Sequence, residues 1–254
     1  MRKLNDIFDF LCSIAPLELQ MDFDNSGFLF GRKEAQVDKI LLSLDVTDSV
    51  VKEAADSGAQ LIVSHHPLIW GAPKAITDGS AYTERLLSLA ENKISVISMH
   101  TNLDCADGGV NDVLLGLFCS NKADDTLEGC GRIGTLDTAL NMPEFLSLCK
   151  EKLGCKGLRY YDAGREVKRL GVFGGSGASS LQEAYEKNCD TLLTSDIKYH
   201  QFLEAAELGI NLIDADHFYT ENPIIPVLCD KIRCSFPELD VFISQTHSAV
   251  IEFA

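Results

Sequence analysis

Residues 39–64, KILLSLDVTDSVVKEAADSGAQLIVS, carry the pattern that decides the fold. The apolar run KILLSLDV gives way to a helix-period segment, SVVKEAADSG, and a second short apolar run, QLIVS, ends at Ser64. Neither run alternates apolar with polar residues. Such strands are buried on both faces and belong in a sheet covered by helices. Downstream, a helix over 80–91 and the strand ISVISMH (94–100) continue the alternation. The pattern then recurs: VKRLGVFGG (167–175), a helix SSLQEAYEKN, DTLLTS (190–195), a helix KYHQFLEAAELG (198–209) and INLIDADH (210–217). The expectation is an α/β protein of two related α/β lobes, an internal duplication.

Aligning the repeats sets Ser64 opposite Ser195 and Ile94 opposite Ile210, so that His65 and His66 fall against Asp196 and HTNLD falls against DHFYTE. Ligands in open α/β sheets gather at the carboxyl ends of strands. A site in a cleft between the lobes is therefore expected. The polar stretch SNKADDTLEGC (120–130) reads as a linker, dividing the chain into a first lobe, 1–125, and a second, 126–254. DVFISQT (240–246) reads as one more strand, which joins the second sheet or returns to the first.

The chain has 254 residues, 46% hydrophobic and 24% charged, with 22 basic against 38 acidic side chains, a net charge of −16. These proportions exclude disordered and fibrous classes. The acidity opposes a phosphate backbone, so nucleic acid is not an expected partner. No apolar stretch approaches the ~18 residues of a membrane span. Asp6 and Asp9 interrupt what would be the apolar part of a signal peptide, and a cytoplasmic location is expected. Nine cysteines, an odd number without a CxxC pair, read as reduced core thiols.

Three segments offer metal ligands. In SHHP (64–67), side chains of a regular strand alternate between faces, so His65 and His66 would serve two neighbouring ions, one each, or form an incidental polar loop. HTNLD places His100 and Asp104 just past a strand. In DHFYTEN, His217 and Glu221 share a helix face if a helix begins near Phe218, as metal ligands or as a solvated ion pair. Together His65, His66, Asp104, His217 and Glu221 supply three imidazoles and two carboxylates, too many for one tetrahedral ion and suited to two. Without thiolate, Zn, Fe, Mn, Co or Ni fits such a set. GGSGASS (174–180) and DGGVND (107–112) read either as anion-binding turns or as capped helix starts. His247 has no role that the sequence reveals.

Seven segments in order carry a resemblance over nearly the whole chain: DFDNSGFLFG (22–31), SHHPLIW (64–70), HTNLDCADGGVNDVL (100–114), GRIGTL (131–136), GGSGASSL (174–181), TSDIKYHQFLEA (194–205) and LIDADHFYTE (212–221). The chain resembles the GTP cyclohydrolase 1 type 2 homologue family, also called NIF-three-like proteins, in its short form. The resemblance implies a duplicated α/β chain with a dinuclear metal site between its lobes, assembled into a ring-shaped homohexamer. It places the metal ligands on the same five residues. It also implies hydrolytic opening of a purine nucleotide ring; the alternatives are a two-metal phosphoesterase and a metal-binding interaction or regulatory protein. His100, four residues before a ligand and with a pKa suited to proton transfer, is the candidate catalytic acid or base. The chain departs from the family pattern at Phe23, where Trp is expected, at Ser195 and Asp216, where Gly is expected, and after Thr246, where the tail lacks NP.

Overall fold

The computed structural model describes residues 1–253. In chain order its elements are β1 (Arg2–Lys3), α1 (Leu4–Ile14), β2 (Gly27–Phe30), β3 (Gln36–Val37), β4 (Lys39–Ser43), α2 (Asp48–Ser57), β5 (Leu61–Ser64), α3 (Ala81–Glu91), β6 (Ser95–Ser98), α4 (Thr101–Cys105) and α5 (Val110–Gly116). There follow β7 (Asp125–Leu127), β8 (Gly131–Leu140), α6 (Met142–Leu153), β9 (Arg159–Tyr161), β10 (Val167–Val172), α7 (Leu181–Glu186), β11 (Thr191–Thr194), α8 (Tyr199–Leu208), β12 (Asn211–Asp214), α9 (His217–Glu221), α10 (Ile224–Ser235) and β13 (Asp240–Ile243).

The chain forms two compact units, residues 1–106 with 225–248 and residues 107–224 with 249–254. The boundary precedes the linker expected near 125 because α5 packs on β8 and β10 of the second unit, with Leu114 and Leu115 in that unit's core. Among the described residues no helix is long and apolar enough to cross a membrane.

The first unit holds a five-stranded sheet in the order β13-β4-β5-β6-β2, parallel except for β2. Every residue of β5 and β6 is buried, which is why these runs carry no polar alternation. Helix α2 starts at Thr47, whose hydroxyl accepts from Val50 N at 3.3 Å, and stops at Gly58 in the left-handed region; Val50, Val51 and Ala54 form its buried face. The tail strand returns to this unit. Beyond β13, Glu53 of α2 accepts hydrogen bonds from Ser244 Oγ (2.5 Å), Gln245 N (2.8 Å), Thr246 N (3.2 Å) and Thr246 Oγ1 (2.9 Å).

The second unit holds a six-stranded sheet, β7-β8-β10-β11-β12-β9, in which β10, β11 and β12 are parallel and their flanking partners antiparallel. Both sheets thus contain three consecutive parallel strands followed by an antiparallel edge. Register matches Ile40, Leu61 and Ser95 in one sheet with Leu170, Thr191 and Asn211 in the other. By this count Ser64 corresponds to Thr194 rather than Ser195, and His66 corresponds to Asp196. Helix α6 opens on a capping box between Asn141 and Glu144 and ends at left-handed Gly154.

No disulfide joins the cysteines; six of the nine are buried, and burial pushes the Cys119 and Cys189 thiols up to about 11.

Candidate metal centre

In the first unit, the parallel strands end on a row of buried serines, Ser43, Ser64 and Ser98. Ser64 Oγ lies 2.9 Å from Ser98 Oγ and donates to His66 O at 2.9 Å, turning the chain out of the sheet just after β5. The two histidines therefore do not sit in a regular strand, and the alternation of faces that would separate them does not apply. Their ring centroids are 5.1 Å apart, and His100 lies 5.1 Å from His65 and 5.6 Å from His66. One nitrogen of each of these three rings lies within 4.8 Å of the others, so His65, His66 and His100 could hold a metal ion. Asp104, on α4, brings Oδ1 to 3.5 Å from His65 Nε2.

The Nδ1 partners fix how each ring presents itself. His65, 0% exposed, sets Nδ1 2.8 Å from Met99 O; a carbonyl only accepts, so Nδ1 carries the hydrogen and Nε2 the lone pair. His66 Nδ1 is 2.7 Å from Asp45 Oδ1, and His100 Nδ1 is 2.8 Å from Asp24 Oδ1. Ionised carboxylates impose the same tautomer, the arrangement in which metal-binding imidazoles are usually oriented.

Asp24 is the anchor that sequence reading missed. Its carboxylate also accepts from Ser26 Oγ at 2.6 Å, Thr101 N at 3.0 Å and Thr101 Oγ1 at 2.5 Å. Burial works against its charge, but hydrogen bonds from His100, Ser26 and Thr101 outweigh it and hold the pKa far below the usual carboxylate range. Burial lowers the His100 pKa, opposed by the Asp24 hydrogen bond and reinforced by repulsion from His65 and His66. The exposed indole of Trp70 stands edge-on to His100 at 5.2 Å. His247 accepts from Leu44 N at 3.1 Å through Nε2, which fastens the tail beside Asp45.

In the second unit, α9 begins at His217, and the four-residue spacing sets His217 Nε2 3.0 Å from Glu221 Oε2. Glu221 is only 3% exposed, so this is no solvated surface pair. His217 repeats the tautomer pattern, with Nδ1 2.6 Å from Asp196 Oδ2. Asp196 (φ 55°) and Asp216 (φ 67°) both occupy left-handed backbone, where Gly is the usual occupant. This accounts for the Gly expected before His217. Asp216 instead caps α9, accepting from Phe218 N at 3.1 Å. Burial raises its pKa, opposed by that N–H and aided by Asp214 and Asp196.

The glycine loop next to this pair spends its glycine amides internally. Gly174 N donates to Asn111 Oδ1 (2.8 Å), Gly175 N to Thr220 Oγ1 (3.0 Å) and Gly177 N to Thr194 Oγ1 (2.9 Å), so these three amides are spent inside the chain. The loop makes room instead: a Cβ on Gly175 would stand 2.2 Å from Glu221 Oε1. The DGGVND turn is likewise a helix start, with Gly108 N on Asp112 Oδ2 at 2.7 Å. The first unit thus assembles His65, His66, His100 and Asp104, and the second assembles His217, Glu221 and Asp196. Both sets offer only nitrogen and oxygen, suited to borderline and hard divalent ions.

Comparisons with known proteins place the chain in one family. A sequence model of Duf34/NIF3 (NGG1p interacting factor 3) matches residues 2–249. A Clostridium perfringens protein named GTP cyclohydrolase 1 type 2 homolog is 36% identical over 239 residues, 91% of each chain. A Helicobacter pylori protein named GTP cyclohydrolase 1 type 2 is 32% identical over 234 residues, 92% of this chain and 93% of its own. Among solved structures, a Staphylococcus aureus protein shares the fold with a TM-score of 0.88 at 26% identity, covering 99% of both chains. A Bacillus cereus protein related to NIF3 reaches 0.92 at 22% identity, covering 100% of this chain and 99% of its own.

Proposed function

The chain belongs to the Duf34/NIF3 family, and on that premise we propose that it is a hydrolase working with two divalent metal ions per chain on a purine nucleotide. In this reading His65, His66, Asp104, His217 and Glu221 would hold the ions, and Glu221, with two carboxylate oxygens, could serve both. The observation that carries the reading is the common orientation of the histidines. His65, His66, His100 and His217 each set Nδ1 against an oxygen, leaving Nε2 as the donor nitrogen. Zn, Fe, Mn, Co and Ni all suit the set.

Divalent ions at these ligands supply Lewis-acid activation of water and polarisation of the base. His100 supplies the proton traffic. With Nδ1–H held by Asp24, its Nε2 takes a proton from the attacking water and returns it to the departing ring nitrogen, while the Asp24 carboxylate stabilises the imidazolium formed in between; a second water, handled the same way, cleaves the resulting formamide to formate and the free amine. Burial disfavours the charged form of His100, which favours the neutral ring that can accept a proton. The exposed Trp70 beside His100 gives a planar base a surface to stack on. The name of the Helicobacter pylori relative makes GTP the first substrate to try. The ring-shaped homohexamer and a cytoplasmic location complete the proposal.

The test is incubation of metal-loaded protein with GTP, following guanine absorbance and formate. The reading expects formate release that stops in chelator and is lost in His100→Ala with both ions retained. Loss of an ion in that variant would reassign His100 as a ligand. Absence of formate would refute the cyclohydrolase reading; turnover of simple phosphoesters would then mark a phosphoesterase, and inertness toward both would mark an interaction protein.

A further inference from the structure

The first unit contains a cavity of about 750 Å³ at the opposite end of its sheet from His65 and His66. It opens where β5 and β6 begin, between the 31–36 turn and the last turn of α3. Phe30, Ala35 and Ala90 give it an accessible apolar lining over the buried Leu89 and Ile94, and the exposed Arg32 and Lys93 also line it. The charge pattern runs against the rest of the chain. Overall, 38 acidic side chains outnumber 22 basic ones, yet no acidic side chain among the described residues lines this cavity. The nearby Glu34 is taken by Lys3 at 2.8 Å, whereas neither Arg32 nor Lys93 enters an ion pair among the described residues.

The lining is preformed. Ala35 N bonds Arg32 O at 3.0 Å, Leu4 N bonds Ala35 O at 2.9 Å and Asn5 N bonds Lys33 O at 3.1 Å, so the turn is pinned to α1. At the far wall, Lys93 N bonds Ala90 O at 3.1 Å and Ile94 N bonds Leu89 O at 2.9 Å, which fixes the end of α3 and carries Lys93 to the negative end of that helix. Lys93 itself holds a left-handed backbone (φ 56°) where Gly or Asn is the common choice. Ser95, 2% exposed, lines the cavity with a hydroxyl that no described residue hydrogen-bonds. Gly31 (φ 116°) lets the turn pack directly on Ser95, since a Cβ there would fall 2.1 Å from Ser95 Oγ and 2.6 Å from Ser95 Cβ.

We propose that this cavity is a second ligand site, for an amphipathic anion whose carboxylate, sulfonate or phosphate head is held by Arg32 and Lys93 and whose apolar body rests on Phe30, Ala35 and Ala90. Its volume lies within the usual range of small-molecule sites. Its position at the amino ends of the strands separates it from the metal-binding histidines of the same unit. The ligand is therefore distinct from a substrate held at those histidines.

The experiment is a fluorescence titration with anilinonaphthalene sulfonate, an aromatic anion, followed by displacement with octanoate, octanol and inorganic phosphate. The proposal expects one saturable site per chain, displaced by octanoate at least about tenfold more readily than by octanol or phosphate. Replacing both Arg32→Gln and Lys93→Gln should weaken the probe by about tenfold or more. Ala90→Trp, which fills the cavity from an exposed helix position, should abolish binding while metal content and thermal midpoint hold. Probe binding unchanged in both variants, or octanol or phosphate alone competing as well as octanoate, would overturn the proposal.

Discussion

Replacing Gly175 with alanine tests the idea that the glycine loop exists to make room for Glu221. The added Cβ would lie 2.2 Å from Glu221 Oε1 and 3.2 Å from His217 Cε1. An ordinary carbon–oxygen contact is about 3.3 Å, so the carboxylate must retreat by roughly 1 Å. Ligand positions in a metal site tolerate only about 0.2 Å. Because Oε1 is the end of a flexible side chain, the fold absorbs the clash by swinging Glu221 aside, and the metal site suffers rather than the core. A non-glycine residue at φ 65° adds about 1 kcal/mol of backbone cost. That cost corresponds to a fall of ~2–4 °C in thermal midpoint. Gly209→Ala is the control, since Gly209 (φ 70°) ends α8 with nothing within 4 Å of a new Cβ. Both variants should lose similar stability in thermal denaturation. In competitive chelator titration only Gly175→Ala should lose divalent-metal affinity, by about 10–100-fold or more. Equal metal affinity in the two variants would refute the reasoning.

Further expectations follow from the same contacts. Glu221→Ala should remove more metal than Asp104→Ala, because a shared carboxylate serves both ions; elemental analysis showing equal loss of one ion in each would argue against sharing. His100→Ala should slow turnover by about 10²–10⁴-fold at unchanged metal content, measured as formate release. Glu53 is held below the usual carboxylate range: burial opposes its charge, and hydrogen bonds from Gln245, Ser244 and Thr246 overcome that opposition. A lowered pKa contributes stability that is present above the unfolded value of about 4.3 and lost as pH falls through the folded one. Glu53→Gln should therefore cost about 1 kcal/mol at pH ~7, limited by solvent screening, and much less at pH ~3, as read from urea unfolding.

The central strands were legible because both faces of β4 to β6 and β10 to β12 are covered, which leaves unbroken apolar runs in the sequence. The unit boundary was harder, since α5 belongs with β8 through packing that no local composition announces. The ligating residue types stood out at strand ends, but their anchors did not. Asp24 lies 76 positions from His100 and Asp45 lies 21 from His66, and a loop carboxylate has no periodicity to mark it. The pairing of His66 with Asp45 was hidden further by the expectation of alternating strand faces, which the turn after Ser64 removes. The glycine loop misled for a related reason. Whether its amides are open to an anion depends on Asn111 and Thr220, brought there only by the fold. Asp216 shows the opposite case, a departure from the family pattern that becomes intelligible once its positive φ is seen.

The most direct test of the central claim is metal stoichiometry on the intact protein, loaded with excess Mn or Zn, freed of unbound ion and measured by elemental analysis against chain concentration. Two ions per chain are expected, with the content falling in His65→Ala and in His217→Ala. A single ion, or a content that neither substitution changes, would contradict it.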